Sequence, residues 1–332
     1  MKRTCLFFSL IATLILLFTS CDNQIARGLM SASSAANEVM VVMDRAGWEG
    51  TAGDAVFAVL NSPAQGLPQS DPNFRTLHLT PDNFNRSFLR VRNVVIPNIS
   101  DIFVEPRIRA ESNVHAVGQW IMHINAPDTA SFVQFVTEHK RDIVEFFLDK
   151  ELQRNAQWLI NNPRLDNWTI AREMFGVEVV QPRGLSHVVQ EENFVWATNN
   201  APRARVDFVM YQFPYTSPDV FTAESLIEIR NRVLGEHIRG QFDSQMRTYN
   251  TPRYPPHFRT FAVNGEFRAE LRGLWEMTTD FMGGPFVMHA FVNENTGMVV
   301  VAEVFTFSPE TSTNTRNLIR SAEASLYTIN AL

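Results

Sequence analysis

Cysteine is all but missing from this sequence. Its 332 residues hold two, Cys5 and Cys21, and Cys5 sits inside an apolar leader. A single remaining thiol cannot close a disulfide within the chain, so packing has to hold the fold. Positive charge is also in deficit: 29 Lys and Arg stand against 35 Asp and Glu, a net of −6. That balance excludes nucleic acid as a partner, since phosphate binding needs a cationic surface, and it argues against electrostatic adhesion to anionic lipid. Long apolar runs are lacking too. Residues 6–18 are almost wholly apolar, but a permanent membrane helix takes roughly 20 such residues.

Catalytic signatures are equally sparse. Gly283-Gly284-Pro285 is too short for a phosphate loop, and no Lys-Ser or Lys-Thr follows it. There is no G-x-S-x-G elbow. Ser186 and His187 are neighbours, and adjacent residues on a strand or turn are expected to point apart, so they cannot share a proton. The eight histidines are scattered, without H-x-H or H-E-x-x-H spacing, so no metal site and no cofactor are expected.

What is present begins with an address. Lys2 and Arg3, the apolar run and then Thr19-Ser20-Cys21 read as a signal peptide over 1–20. The last five residues, Leu17 to Cys21, resemble a bacterial lipobox, with Phe18 where Leu is usual. Cys21 is therefore expected to carry acyl chains, palmitate among them, and to hold the mature chain on the membrane by a lipid anchor. One chain alone would bind only reversibly; two or three make the anchoring stable. Without the leader, 27 basic side chains face 35 acidic ones, a net of −8, so the anchor and not charge must supply adhesion. Residues 21–36 are small and polar and read as the lipidated cysteine with a flexible tether.

The remainder has 45% hydrophobic residues and 26 Phe, enough for a well-buried core. Apolar runs of strand length predict strands at 38–44, 74–79, 93–99, 103–109 and 118–125. Apolar positions at three- and four-residue steps predict a helix over 52–60 and a long helical region from Pro127-Asp128 to about residue 159, with a break near Lys140. Strands follow at 177–180, 194–197 and 206–213. A helix starting from Thr222 runs to His237. Two hairpins come next, 258–263 with 267–277 through Asn264-Gly265, and 286–293 with 298–307. A last helix covers 313–329. The pattern is α+β: mostly antiparallel sheets covered by helices, in two lobes, 37–162 and 163–332.

Two places collect the chemistry. Residues 270–286 bring Arg272, Trp275, Glu276, Asp280, Gly283 and Gly284 into one stretch. Glu276 and Asp280 would be an acid/base pair for cleaving glycan or ester if their carboxylates met. The plainer alternative pairs Arg272 with a buried acid, buries Trp275 and uses the glycines for a positive-φ turn. The second place is the end of the first strand, where Asp44 and Trp48 stand at a strand's carboxyl end, a common ligand position.

The segments 37–44, Gly66-Leu67-Pro68-Gln69, Phe84-Asn85-Arg86, Phe213-Pro214-Tyr215, 271–275 and 280–286 carry a resemblance. The chain resembles a family of bacterial envelope lipoproteins known as a domain of unknown function. That resemblance implies lipidation and a place in the cell envelope, facing the periplasm; it carries over no activity. Arg86 and Arg272 stand at positions matching the family's pattern. The expected function is a membrane-tethered binding or assembly module, meeting another envelope protein or a cell-wall component. An envelope hydrolase using the stretch from Arg272 to Asp280 is the alternative.

Overall fold

The computed structural model describes residues 28–162, 169–309 and 314–332. The expected signal peptide, Cys21 and the first part of the expected tether lie outside the described residues, as does Pro163 at the expected lobe boundary. The fold is α+β, with seven helices and fifteen strands among the described residues. None of those helices is long and apolar enough to cross a membrane. The chain forms two compact units. Among the described residues, 28–60 with 74–143 make the first; 61–73 with those from 144 on make the second.

The first unit is built on a five-stranded sheet, β1 (Glu38–Val42), β2 (Arg75–Leu79), β3 (Asn93–Ile99), β4 (Arg107–Ser112) and β5 (Trp120–Ala126), in the order β2-β1-β3-β5-β4. Here the sheet departs from the antiparallel expectation: β1 lies parallel to β2 and β3, and β3 parallel to β5. Every residue of β1 is buried, the mark of a strand covered on both faces, as parallel strands are. Helices α1 (Arg45–Trp48) and α2 (Thr51–Leu60) carry the chain from β1 to β2. Helix α3 (Thr129–Glu138) starts on Asp128, whose carboxylate accepts from Ser131 N at 2.8 Å. Helix α4 (Lys140–Asn161) follows after a break at His139.

Part of the expected tether is fixed to this unit. Ala32 N donates to Val117 O, Ser33 N to Arg90 O and Val117 N to Met30 O, all at 2.8–3.0 Å. Small polar residues looked like free coil, but their main chain pairs as a bridge whatever the side chains are.

The second unit holds α5 (Thr169–Phe175), β6 (Val177–Glu178) and β7 (His187–Glu191), then β8 (Phe194–Thr198) and β9 (Arg205–Pro214). Helix α6 (Ala223–His237) precedes β10 (Met246–Tyr249), β11 (His257–Val263), β12 (Glu266–Met277), β13 (Gly283–Asn293) and β14 (Met298–Phe307). Helix α7 (Thr315–Glu323) continues as a 3-10 turn, Ala324–Thr328, into β15 (Asn330–Ala331). The main sheet is antiparallel, in the order β10-β12-β13-β14-β9-β8-β7, with β11 also on β12. Both faces are covered. Phe286, Met288 and Val301 pack with Leu226 and Leu234 of α6; Val287, Phe291 and Ala302 pack with Ile319 and Ala322 of α7. That double cover explains the unbroken apolar runs of β9, β13 and β14. The hairpin at Asn264-Gly265 has φ of 52° and 85°, the paired positive values of a type I′ turn. The apolar spacing predicts no strand at β7, β10 or the two-residue β15; β7 is exposed throughout and so lacks an apolar pattern.

Candidate functional site

A cleft of about 780 Å³ opens in the first unit at the carboxyl ends of β1 and β3. Its place follows from the strand order. From β1 the chain turns towards β2 on one side; from β3 it continues towards β4 and β5 on the other. The two connections diverge and leave a crevice, the topological switch point where parallel sheets hold ligands.

Met43, Asp44 and Gly47 form one wall, and Asn98, Ile99, Ser100 and Phe103 face them; Thr51 and Thr129 add hydroxyls. Asp44 Oδ1 accepts from Gly47 N at 2.8 Å and so caps α1. Asn98 Nδ2 donates to Asn125 Oδ1 at 2.8 Å, which fixes the amide on β3. Behind the β1 wall, Trp48 stacks on His78 with centroids 4.6 Å apart, and His78 Nε2 lies 2.9 Å from Met43 O. Trp48 therefore braces the turn that carries Asp44. Close approach of the helices matters as well: a Cβ on Gly53 of α2 would overlap the Trp48 main chain.

The lining carries one ionisable group, Asp44, and no cation. A phosphate or carboxylate would find no counter-charge there, and a pair of carboxylates for glycoside cleavage is absent from the lining. The surface matches an uncharged ligand with many hydroxyls and some apolar surface.

Arg86 is exposed in the loop before β3, with φ of 24°, and is not among the lining residues. The other candidates are in the second unit, where each has its own partners. Arg272 is largely buried, its side chain 17% exposed: Nε donates to Glu270 Oε1 at 2.7 Å and Nη2 to Glu323 Oε1 at 2.6 Å. Arg259 adds two bonds of 3.0 Å to the Glu270 carboxylate. His289, opposite Glu270 on β13, holds Nε2 3.5 Å from Glu270 Oε2. Burial pushes the Glu270 carboxyl up, but Arg272, His289 and Arg259 together hold it well below the usual carboxylate range. Burial also lowers His289, which is therefore neutral at neutral pH. The result is a fixed ionic cluster rather than an acid/base pair. Nearby, Arg316 Nη1 and Arg320 Nη1 donate to Pro72 O and Asn73 O, each at 2.6 Å, so α7 clamps the segment 61–73.

Trp275 lies in the core and donates to Thr306 O at 3.2 Å. Glu276 faces outward and pairs with Arg247 at 2.7 Å. Asp280 Oδ2 accepts from Gln241 N at 3.0 Å. Arg272, Glu276 and Asp280 are thus committed to three different sets of groups. Gly283 and Gly284 do not supply a positive-φ turn: they belong to β13, and neither has positive φ. They are needed for close approach, because Cβ atoms would meet Trp275 O and Thr306 O. The expectation for Ser186 and His187 also fails, since Ser186 Oγ lies 3.0 Å from His187 Nδ1. Ser186 immediately precedes β7, where its short hydroxyl reaches the neighbouring ring despite the expectation for a strand or turn. Both residues are exposed.

Residues 165–328 match the family described as Domain of unknown function (DUF4837), and residues 32–159 match Domain of unknown function (DUF8532). No curated protein matches the chain. Among solved structures, the human StarD13 (DLC2) lipid transfer and protein localization domain is similar at 10% sequence identity and a TM-score of 0.23. That similarity covers 48% of this chain and 93% of that one. A likeness at that score carries no argument about what this chain binds.

Proposed function

We propose that this protein is a membrane-tethered lipoprotein of the bacterial cell envelope, a non-catalytic binding module facing the periplasm. Its cleft in the first unit takes an uncharged, hydroxyl-rich segment of a cell-wall glycan. The observation that carries this reading is the cleft itself, at a topological switch point, lined by hydroxyls, an amide and apolar side chains around a single carboxylate. Sugars present that same mixture of hydroxyl edge and apolar face. The leader and Cys21 supply the address, since a short apolar run ending in Thr-Ser-Cys is the pattern acylated in bacterial lipoproteins.

Titration calorimetry with soluble, uncharged cell-wall glycan fragments tests the binding half. Saturable binding is expected for the parent protein and its loss for Ser100→Trp, with the thermal transition unchanged. Equal binding by Ser100→Trp, or slow cleavage of the fragments during titration, would refute it. For the address, Cys21→Ala should release a folded chain from membranes; a variant that stays membrane-bound removes the lipid anchor.

A further inference from the structure

Two phenylalanines stand almost wholly in solvent on the second unit. Phe242 is 90% exposed and Phe281 fully so. They sit on neighbouring loops that are bound to each other. Gly240 N donates to Ser244 O at 2.8 Å, closing a tight turn with Phe242 at its apex. Asp280 Oδ2 takes Gln241 N at 3.0 Å, Gln245 N donates to Thr278 Oγ1 at 2.9 Å, and Thr278 N returns to Gln245 O at 3.0 Å. The Ser244 hydroxyl, wholly buried, accepts from Thr279 N and Asp280 N at 2.9 and 3.2 Å. A Cβ on Gly240 would displace the Asp280 carboxylate that accepts from Gln241 N.

The backbone is strained where it displays Phe242. Phe242 and Asp243 have φ of 53° and 59°, the left-handed region that a bulky side chain rarely adopts. A glycine would sit there without strain. A rigid, cross-braced platform therefore holds a large apolar residue outward against its own conformational preference.

We infer that this double tip inserts its two phenylalanines into the interfacial region of a lipid bilayer. Area decides between a bilayer and a protein partner. Two Phe side chains offer roughly 300–500 Å², whereas a stable protein interface takes about 800 Å² from each partner. Gln241, Asp243, Thr279 and Asp280 around them are polar, and Met282, the one apolar chain neighbour, packs partly against the core, so the apolar patch stays small. Two isolated rings projecting from polar apices suit the headgroup–acyl boundary, where small apolar elements enter and polar neighbours stay wet. Contact this small would be weak alone; it becomes effective in a chain already held at the membrane, where the local concentration is high. The inference rests, in that clause, on the lipid anchor proposed above.

The test uses the full lipidated chain on phosphatidylcholine vesicles, with Phe242→Trp and Phe281→Trp as separate reporters read against the parent spectrum. The added emission is expected to shift to shorter wavelength and to be quenched by lipids brominated near the top of the acyl chains. Solvent-like, unquenched emission while the chain floats with vesicles overturns the insertion, leaves the anchor standing and hands the tip to a protein partner. Flotation reads the anchor separately: if the chain behaves as Cys21→Ala does, the anchor reading fails. Phe242→Gly completes the set. It should fold as stably as the parent or more so, and Phe281→Trp emission in its background should lose most of its quenching; full retention would overturn the two-ring reading.

Discussion

Replacing Arg272 by alanine separates a structural role from a ligand-binding one. Arg272, 17% exposed, bridges two buried carboxylates, Glu270 at 2% and Glu323 at 1% side-chain exposure. Removing one partner from a buried ion pair typically costs about 3–5 kcal/mol, because the remaining charge stays in a poorly solvated place. Glu270 keeps Arg259 through two bonds of 3.0 Å, so the loss falls mainly on Glu323 and the lower end, about 3 kcal/mol, is expected. The assay is urea unfolding followed by the emission of buried tryptophan, Trp275 reporting on the second unit. Glu276→Gln is the control: its pair with Arg247 is partly exposed, at 54% and 29%, and pairs near the surface contribute about 0–1 kcal/mol. A loss below about 1 kcal/mol for Arg272→Ala would refute the assignment and return Arg272 to the pool of ligand-binding residues.

The same cluster fixes a pH dependence. Glu270 titrates well below its ordinary value in the folded chain, since the arginines around it outweigh burial. A carboxylate whose folded pKa is depressed contributes stability above its unfolded pKa, about 4.3, and that contribution disappears as pH falls through the folded value. Glu270→Gln should therefore be most damaging near neutrality, and its deficit relative to the parent should shrink below about pH 4. A deficit constant from pH 7 to 3 would contradict the depressed pKa.

Two further substitutions probe other parts of the structure. Gly284→Ala places a methyl group against Thr306 O between β13 and β14; overpacking of this kind costs about 1–3 kcal/mol or more, read as a lowered urea midpoint, whereas a neutral outcome would mean that the strands part easily. Asp44→Ala should cost about 1 kcal/mol through the lost cap of α1, while Asp44→Asn keeps the cap and removes only the charge. Glycan binding that survives Asp44→Asn but falls with Asp44→Ala, in calorimetry, would mark the carboxylate as a positioning group; loss in both would make its charge part of recognition.

Much of the secondary structure is legible in the sequence because the apolar spacing is strong. The strands at 93–99 and 206–213, the Asn264-Gly265 hairpin and the helix capped by Thr222 all appear where spacing and turn chemistry put them. Strand direction is harder. The run from Val39 to Met43 is apolar without alternation, and a strand buried on both faces is characteristic of a parallel sheet. Short apolar runs of this kind also occur in antiparallel sheets covered on both sides, as β9 and β14 show. The run alone therefore leaves direction open, and with it the switch point that creates the cleft. Asp44 could be nominated from its place at a strand end; Asn98, Ser100 and Thr129 could not, since their convergence depends on strand order.

The conspicuous residues and the accessible ones also differ for a physical reason. A charged side chain inside a sheet must find complete pairing, or its desolvation undermines the fold. An Arg, a Trp and acids crowded into one strand therefore signal dense internal constraint, and Arg272, Glu270 and Trp275 are used up by packing. Ligand contact needs groups that reach solvent, and ordinary Ser, Thr and Asn near strand ends leave no mark on composition. Phe242 and Phe281 invert the rule for apolar residues in the same way. Among 26 phenylalanines, core packing is the natural assignment for each, and only a braced backbone with positive φ at Phe242 distinguishes one held outward from one folded in.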